Sequence, residues 1–332
     1  MTPTLLEEVP PPRLTPVGGV KEALQRRARR PGGRAYAVAR WSGATLFAAI
    51  VVALVVSLLV SSSQAFAHSG LSFFWSGTYN AAKDVYPTGV FILGTLITTT
   101  VAIILAVPIG VGTAAFLSEF APKWLAAPLT VAIDLIAAVP SIVVGLWGLL
   151  VLQPVFTHHV EPFMKRIPVL EWFFHGPALG PSMFLAGTVL AVMILPTIVA
   201  LSRTSMAAVS VEDREAARAL GATRWQVVTT AVVPGARTGI EAAVTLGIGR
   251  AMGETIAVAM VIGNNYALPH SLLSPGATLG SAIINNFGEA SPGLDRASVI
   301  GLVVVLLVLS ALVNVGGQVL LRARMRSAGA TT

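Results

Sequence analysis

The chain has 332 residues, 55% apolar and only 11% charged, with a mean hydropathy of +0.78, a net charge of +7 and no cysteine. Soluble domains carry about 25% charged residues, so this composition excludes most soluble enzymes and calls for burial in lipid. The missing thiols exclude disulfides, cysteine nucleophiles, Cys-ligated zinc and iron–sulfur clusters.

Residues 1–40 are rich in Pro, Gly and Arg and read as a disordered, basic cytoplasmic arm, with a basic run at Arg26, Arg27, Arg29 and Arg30. The charges beyond it cluster and leave long uncharged runs, the signature of spanning helices. An all-α polytopic fold follows, with six spans near 42–62, 89–117, 125–152, 183–202, 238–262 and 298–320. Ala65-Phe66-Ala67 imitates a signal-peptidase site, but the apolar stretch before it is too long for a signal peptide. Trp172, Phe173 and Phe174 suit an interfacial helix in the loop 153–182. All five histidines fall in the outer loops without a set of ligands at metal spacing, and neither a metal nor a cofactor is expected.

Basic loops stay on the cytoplasmic side of a bilayer. With the N-terminus inside, 17 of the 22 Lys and Arg residues are cytoplasmic, four (Lys83, Lys165, Arg166, Arg296) are outside and Arg250 lies within the membrane. Both termini are then cytoplasmic. Topology accounts for the high pI, and nucleic acid is not an expected partner.

The loop 203–237 between spans four and five is polar yet carries helix signals. Ser210 can cap an N-terminus, acids lead at Glu212 and Asp213, Arg218 follows, and Gly221 can end the helix. Glu215-Ala216-Ala217, Gly221 and Pro234 keep the spacing of the Glu-Ala-Ala loop of ATP-binding-cassette importer membrane subunits, and the chain resembles that family. Ala231 and Val233 replace its usual Ile and Leu. The resemblance implies that the loop is a coupling helix docking on a separate ATPase. None of the four lysines follows a glycine, so this chain lacks the Gly-Lys pair of a phosphate-cradling loop.

Three further stretches are similar to phosphate-specific permeases: Gly94-Thr95-Leu96 through Pro122, Val139-Pro140-Ser141 through Gly148, and Gly249-Arg250-Ala251-Met252-Gly253-Glu254-Thr255 on to Asn264. Val144 stands where an aromatic is usual. Ala277-Thr278-Leu279 and Asn286-Phe287-Gly288-Glu289-Ala290 favour the PstC-type over the PstA-type subunit. The resemblance covers residues 40–322 and implies a type I importer permease domain over 41–326 of a bacterial inner membrane protein. It also implies a PstA-type partner, two ATPase subunits and an extracytoplasmic phosphate-binding protein.

Independently of resemblance, a charge at mid-bilayer costs about 2.5–3.5 kcal/mol on insertion scales, so Asp134, Arg250 and Glu254 should face protein or water. Arg250 falls about 18 Å beyond Thr238, midway through a ~30 Å core. Glu254, four residues on, is expected to pair with it, and Gly249 and Gly253 are expected to let another backbone approach. Two readings stay open: a substrate pathway in which the guanidinium meets a phosphate, or a structural pair of Arg250 with Glu254 or Asp134. A permease for phosphonate, sulfate or molybdate is the near alternative; a membrane enzyme or a secondary transporter would leave the charged loop unexplained.

Overall fold

The computed structural model describes residues 32–70, 72–75, 88–167, 172–176 and 179–329. The first 31 residues of the expected arm therefore lie outside the described residues. The chain divides into two compact units, residues 1–57 and 58–332. In the first, the described part is the leading portion of α1 (Gly32–Ser69), whose side chains from Tyr36 to Ser57 are exposed apart from half-buried Ala37 and Val55. Residues 32–40, the end of the expected arm, are helical and continuous with the rest of α1.

The second unit continues through α2 (Ser72–Trp75), α3 (Gly89–Phe120, its last turn a π-turn from Phe116), α4 (Lys123–Ala138) and α5 (Ser141–Lys165, interrupted by π-turns at Gly148–Leu152 and Phe156–Val160). Then come α6 (Met183–Ala207), α7 (Val211–Ala219), α8 (Arg224–Val227), α9 (Arg237–Gly253), α10 (Ile256–Val261), α11 (Leu279–Phe287) and α12 (Leu294–Gly329). One isolated bridge, Gly263 with Gly276, is the only β pairing among the described residues.

Among the described residues, five helices are long and apolar enough to cross a membrane: Tyr36–Ser69, Gly89–Phe120, Ser141–Lys165, Met183–Ala207 and Leu294–Val319. The all-helical, six-span reading is close to this, with one expected span shifted along the chain and another divided. The span expected over 125–152 is broken at Val139-Pro140, both extended, because a proline holds the residue before it out of the α region. The helix that follows runs on to Lys165, so half of the expected outer loop 153–182 is helical. The span expected over 238–262 ends as a helix at Gly253, where Glu254 turns extended, and resumes only for the six residues of α10. Trp172 and Phe173 sit in a turn rather than a helix, with Phe174 buried edge-on against Phe184 at 5.0 Å between ring centroids.

Lipid is as apolar as leucine, so helices in a bilayer hold together by close packing rather than by expulsion of water. That requirement explains the small residues where α3 meets α6. A Cβ on Gly187 would lie 2.5 Å from Val101 Cγ1, and one on Gly94 would lie 2.0 Å from the Ala277 carbonyl oxygen. Ala102, Ala106, Leu185, Ala186, Val189 and Ile194 fill the buried cluster between these helices and their neighbours α5, α9 and α10. Polar threads cross it as well: Thr95 Oγ1 accepts from the Leu279 amide at 3.0 Å, joining α3 to the capped start of α11. A second buried cluster gathers Ala114, Leu117, Val199, Met206, Val228, Val232 and Ala236, and it carries α7 and α8.

Candidate functional site

The loop between α6 and α9 folds as its residues dictate. Ser210 Oγ accepts from the Asp213 amide at 3.1 Å, which satisfies one of the donors a helix start leaves open. At the other end Gly221 has φ +82°, the left-handed region that an L side chain enters at a cost of ~1–2 kcal/mol. Its amide donates to the Arg218 carbonyl at 2.9 Å, and the Ala222 amide donates to that of Ala217 at 3.2 Å. This is a Schellman stop, and its apolar contact is supplied by Ala217 and Ala222, both packed on the second cluster. So Ala217 and Gly221 each have a structural reason for their type. Ala216 and Glu215 face outward and are exposed.

Gly221 leads into Thr223, which forms a capping box with Gln226 at the start of α8. α8 is extended by a π-turn over Val228–Val232 and a final turn Val233–Gly235 that contains exposed Pro234. Val232 and Ala236 are buried on either side of it, and α9 begins at Arg237. The outer face of this substructure presents Leu220 at 90% exposure, along with Val211 and Trp225. Exposed apolar side chains grouped in this way are available to a partner surface.

One contact here escaped the reading of residue types. Arg214 Nη1 bridges to Glu119 Oε1 at 3.0 Å, with the two side chains only 18% and 8% exposed, and Arg214 Nη2 donates to the Met206 carbonyl at 2.6 Å. Ser118 Oγ donates to the same carboxylate oxygen at 3.1 Å. The bridge ties α7 to the π-turn that ends α3. Glu119 belongs to the stretch Phe116–Pro122, where a lone acid between apolar residues was a usable signal; nothing in the sequence matched it to Arg214.

The three charges expected within the membrane, Asp134, Arg250 and Glu254, are not brought together. Arg250, near the end of α9, is exposed and its Nη1 is 3.5 Å from Thr197 Oγ1 on α6. Among the described residues no ion pair joins it to Glu254 or Asp134. The expected i,i+4 pairing fails because Glu254 lies beyond the helix end with ψ 129°, so it no longer shares the face of Arg250. The Glu254 carboxylate instead accepts from the Ala257 amide at 3.3 Å and caps α10. Asp134, exposed on α4, lines a cavity with Arg203 rather than with Arg250. The glycine expectation is met in part: a Cβ on Gly249 would lie 2.9 Å from the Asn314 amide group on α12, whereas one on Gly253 would meet nothing within 4 Å. Close approach of α9 to α6 falls at Gly239, against Ser205, and less tightly at Gly247, against Ile198.

A bundle of broken, membrane-length helices joined through an exposed, capped helix pair is the architecture of an importer's membrane component, and the comparisons agree. Residues 106–327 match the family described as binding-protein-dependent transport system inner membrane component. In fold the chain is similar to a subunit of a bacterial alginate ABC transporter solved with its alginate-bound periplasmic protein (TM-score 0.55, 14% identity, 83% of this chain and 92% of that one). It is likewise similar to one of the MetNI methionine ABC transporter in inward-facing form (TM-score 0.50, 22% identity, 70% and 93%).

Within that class the chain belongs to the PstC family of phosphate transport system permease proteins. It is 39% identical to the PstC of Haemophilus influenzae over 84% of this chain and 90% of the relative. It is 41% identical to that of Pasteurella multocida (80% and 83%) and 34% identical to PstC 1 of Mycobacterium tuberculosis (89% and 96%). It is a multi-pass membrane protein and a non-catalytic transport subunit.

Proposed function

We propose that this chain is the PstC-type half of a phosphate importer, paired with a PstA-type permease, fed from outside by a phosphate-binding protein and driven by ATPase subunits docked on α7 and α8. In this reading both termini and the α7–α8 face are cytoplasmic. Glu215, Ala216, Ala217, Gly221 and Pro234 belong to the coupling surface: Ala217 and Gly221 build it, and Glu215 and Leu220 meet the ATPase. The names of the relatives support phosphate as the cargo, in preference to phosphonate, sulfate or molybdate.

The observation that carries the transport reading is Arg250. It is an exposed guanidinium about 20 Å along α9 at ~1.5 Å per residue, with a hydroxyl beside it and no carboxylate in ion-pair reach among the described residues. An arginine that merely held helices together would be paired and buried. A guanidinium left open offers a planar fork to phosphate oxygens and lowers the barrier an anion meets at mid-membrane. Glu254 acts from one turn away as the cap that ends the helix break, keeping Arg250 at the end of its segment.

The test is Arg250→Gln in the assembled importer, reading phosphate uptake per complex. Because Glu254 is occupied with the Ala257 amide, the single change orphans no partner, and assembly is expected to stay near normal while uptake falls at least about tenfold. Near-normal uptake would remove the pathway assignment. Competition of labelled phosphate by sulfate and molybdate decides the cargo separately.

A further inference from the structure

Thr197, which contacts Arg250, sits on a face of α6 that continues toward α7 through Ala200 and Thr204; these are i, i+3 and i+7 positions and so share a side of the helix. Thr197 is half-buried and Ala200 and Thr204 are exposed. Seven residues carry this stripe about 10 Å along the axis at ~1.5 Å per residue. It ends in a cavity of about 340 Å³ between α4 and α6, lined among others by Thr130, Asp134, Ala200, Arg203 and Thr204. At ~30 Å³ per water that is room for about ten waters, enough for a hydrated tetrahedral anion.

The cavity holds both signs of charge, unpaired. Arg203 Nη1 donates to Thr130 Oγ1, and Thr130 donates in turn to the Ala126 carbonyl at 2.7 Å, so the hydroxyl is oriented as an acceptor and fixes the guanidinium. This is the one hydrogen bond of the five Arg donors found among the described residues. Asp134 lines the same wall without reaching ion-pair distance of Arg203.

We propose that Arg203 is a second oxyanion station, on the coupling-helix side of Arg250. It receives the tetrahedral anion that leaves Arg250, and Asp134 competes for the guanidinium so that the anion is released. Thr130 is a positioning residue that holds Arg203 toward the cavity. The inference rests on the reading of Arg250 as a pathway residue, and it adds where the anion goes next. A station at the exit should also be filled from the exit side, so phosphate inside a vesicle should slow uptake by occupying it.

The experiment uses the complete importer in vesicles, with uptake of labelled phosphate measured against graded internal phosphate and internal chloride as the control. Asp134→Asn removes the competing charge, and half-inhibition by internal phosphate is expected at a concentration about fivefold lower, the size of one unit charge in water-like surroundings. Arg203→Gln should abolish that inhibition and slow uptake, with Arg203→Lys intermediate. Thr130→Val should weaken the effect less than Arg203→Gln does. The proposal is overturned if Asp134→Asn and the parent respond alike to internal phosphate, including no response in either. It is also overturned if Thr130→Val reproduces Arg203→Gln in full, since Arg203 would then be only a strut between α4 and α6. Loss of uptake in Arg250→Gln with a silent Asp134→Asn sinks the exit station alone; normal uptake in Arg250→Gln sinks the pathway beneath it.

Discussion

Replacing Gly221 by aspartate perturbs one backbone position and little else. A Cβ built there meets nothing within 4 Å, so the change carries no steric clash and its cost is conformational. Holding an L residue at φ +82° costs ~1–2 kcal/mol, and a negative charge at a helix C-terminus adds ~0.3–1 kcal/mol. Together these come to about 2 kcal/mol, a factor of up to ~30 in the population of the correctly ended helix. That is too little to unfold the membrane bundle, whose buried clusters of α3 and α6 are untouched. It is enough to withdraw Leu220 and the start of α8 from a partner. The expected outcome is normal membrane abundance, with ATPase retained on affinity purification down about tenfold and uptake down in step. Gly221→Asn, the residue next to glycine in frequency at this helix-end position and without a charge, should keep more of both than aspartate does. Aspartate behaving like the parent would refute the reasoning, as would asparagine failing as badly as aspartate.

Other consequences can be checked directly. Arg214→Ala strands the nearly buried Glu119 carboxylate and should cost about 3 kcal/mol at the α3–α7 junction, with Arg214→Ala/Glu119→Gln recovering part of it in a thermal-stability double-mutant cycle. Glu161 is fully buried with both carboxylate oxygens unpartnered, so Glu161→Met should leave the melting temperature of the purified protein equal or higher. Gly187→Val would place atoms inside the Val101 side chain, and steady-state protein in the membrane should fall sharply. With no native cysteine to interfere, a cysteine at Ser291 should react with an impermeant maleimide from outside and one at Ser210 should not; the reverse would invert the orientation.

Helix α7 was legible almost residue by residue, because its ends are set by local chemistry: a serine cap, acids in the first turn and a glycine that relaxes at positive φ. The broken spans were half legible. Pro140 is a residue type that breaks helices, yet hydropathy runs straight through it, and the break after Gly253 has no proline to mark it. There the cause is tertiary, with Gly280 packed so closely that a Cβ would lie 2.7 Å from the Glu254 carbonyl oxygen. The same break explains why the Arg250–Glu254 pair was misjudged, since a four-residue spacing means adjacency only while the helix lasts. The bridge of Arg214 to Glu119 spans 95 residues of sequence, a distance over which charge pattern says nothing about pairing.

The short helix α7 has no buried residue of its own and is anchored at both ends to different parts of the bundle. Its front is pinned through Arg214 to the tip of α3, and its rear runs through the Gly221 stop and α8 into the first residue of α9. α7 is therefore joined to the bundle by two unlike links, an ion pair to α3 and the chain itself to α9. The first ends on the helix packed along α6 and the second on the helix that carries Arg250, so two helices that meet α6 share one surface element.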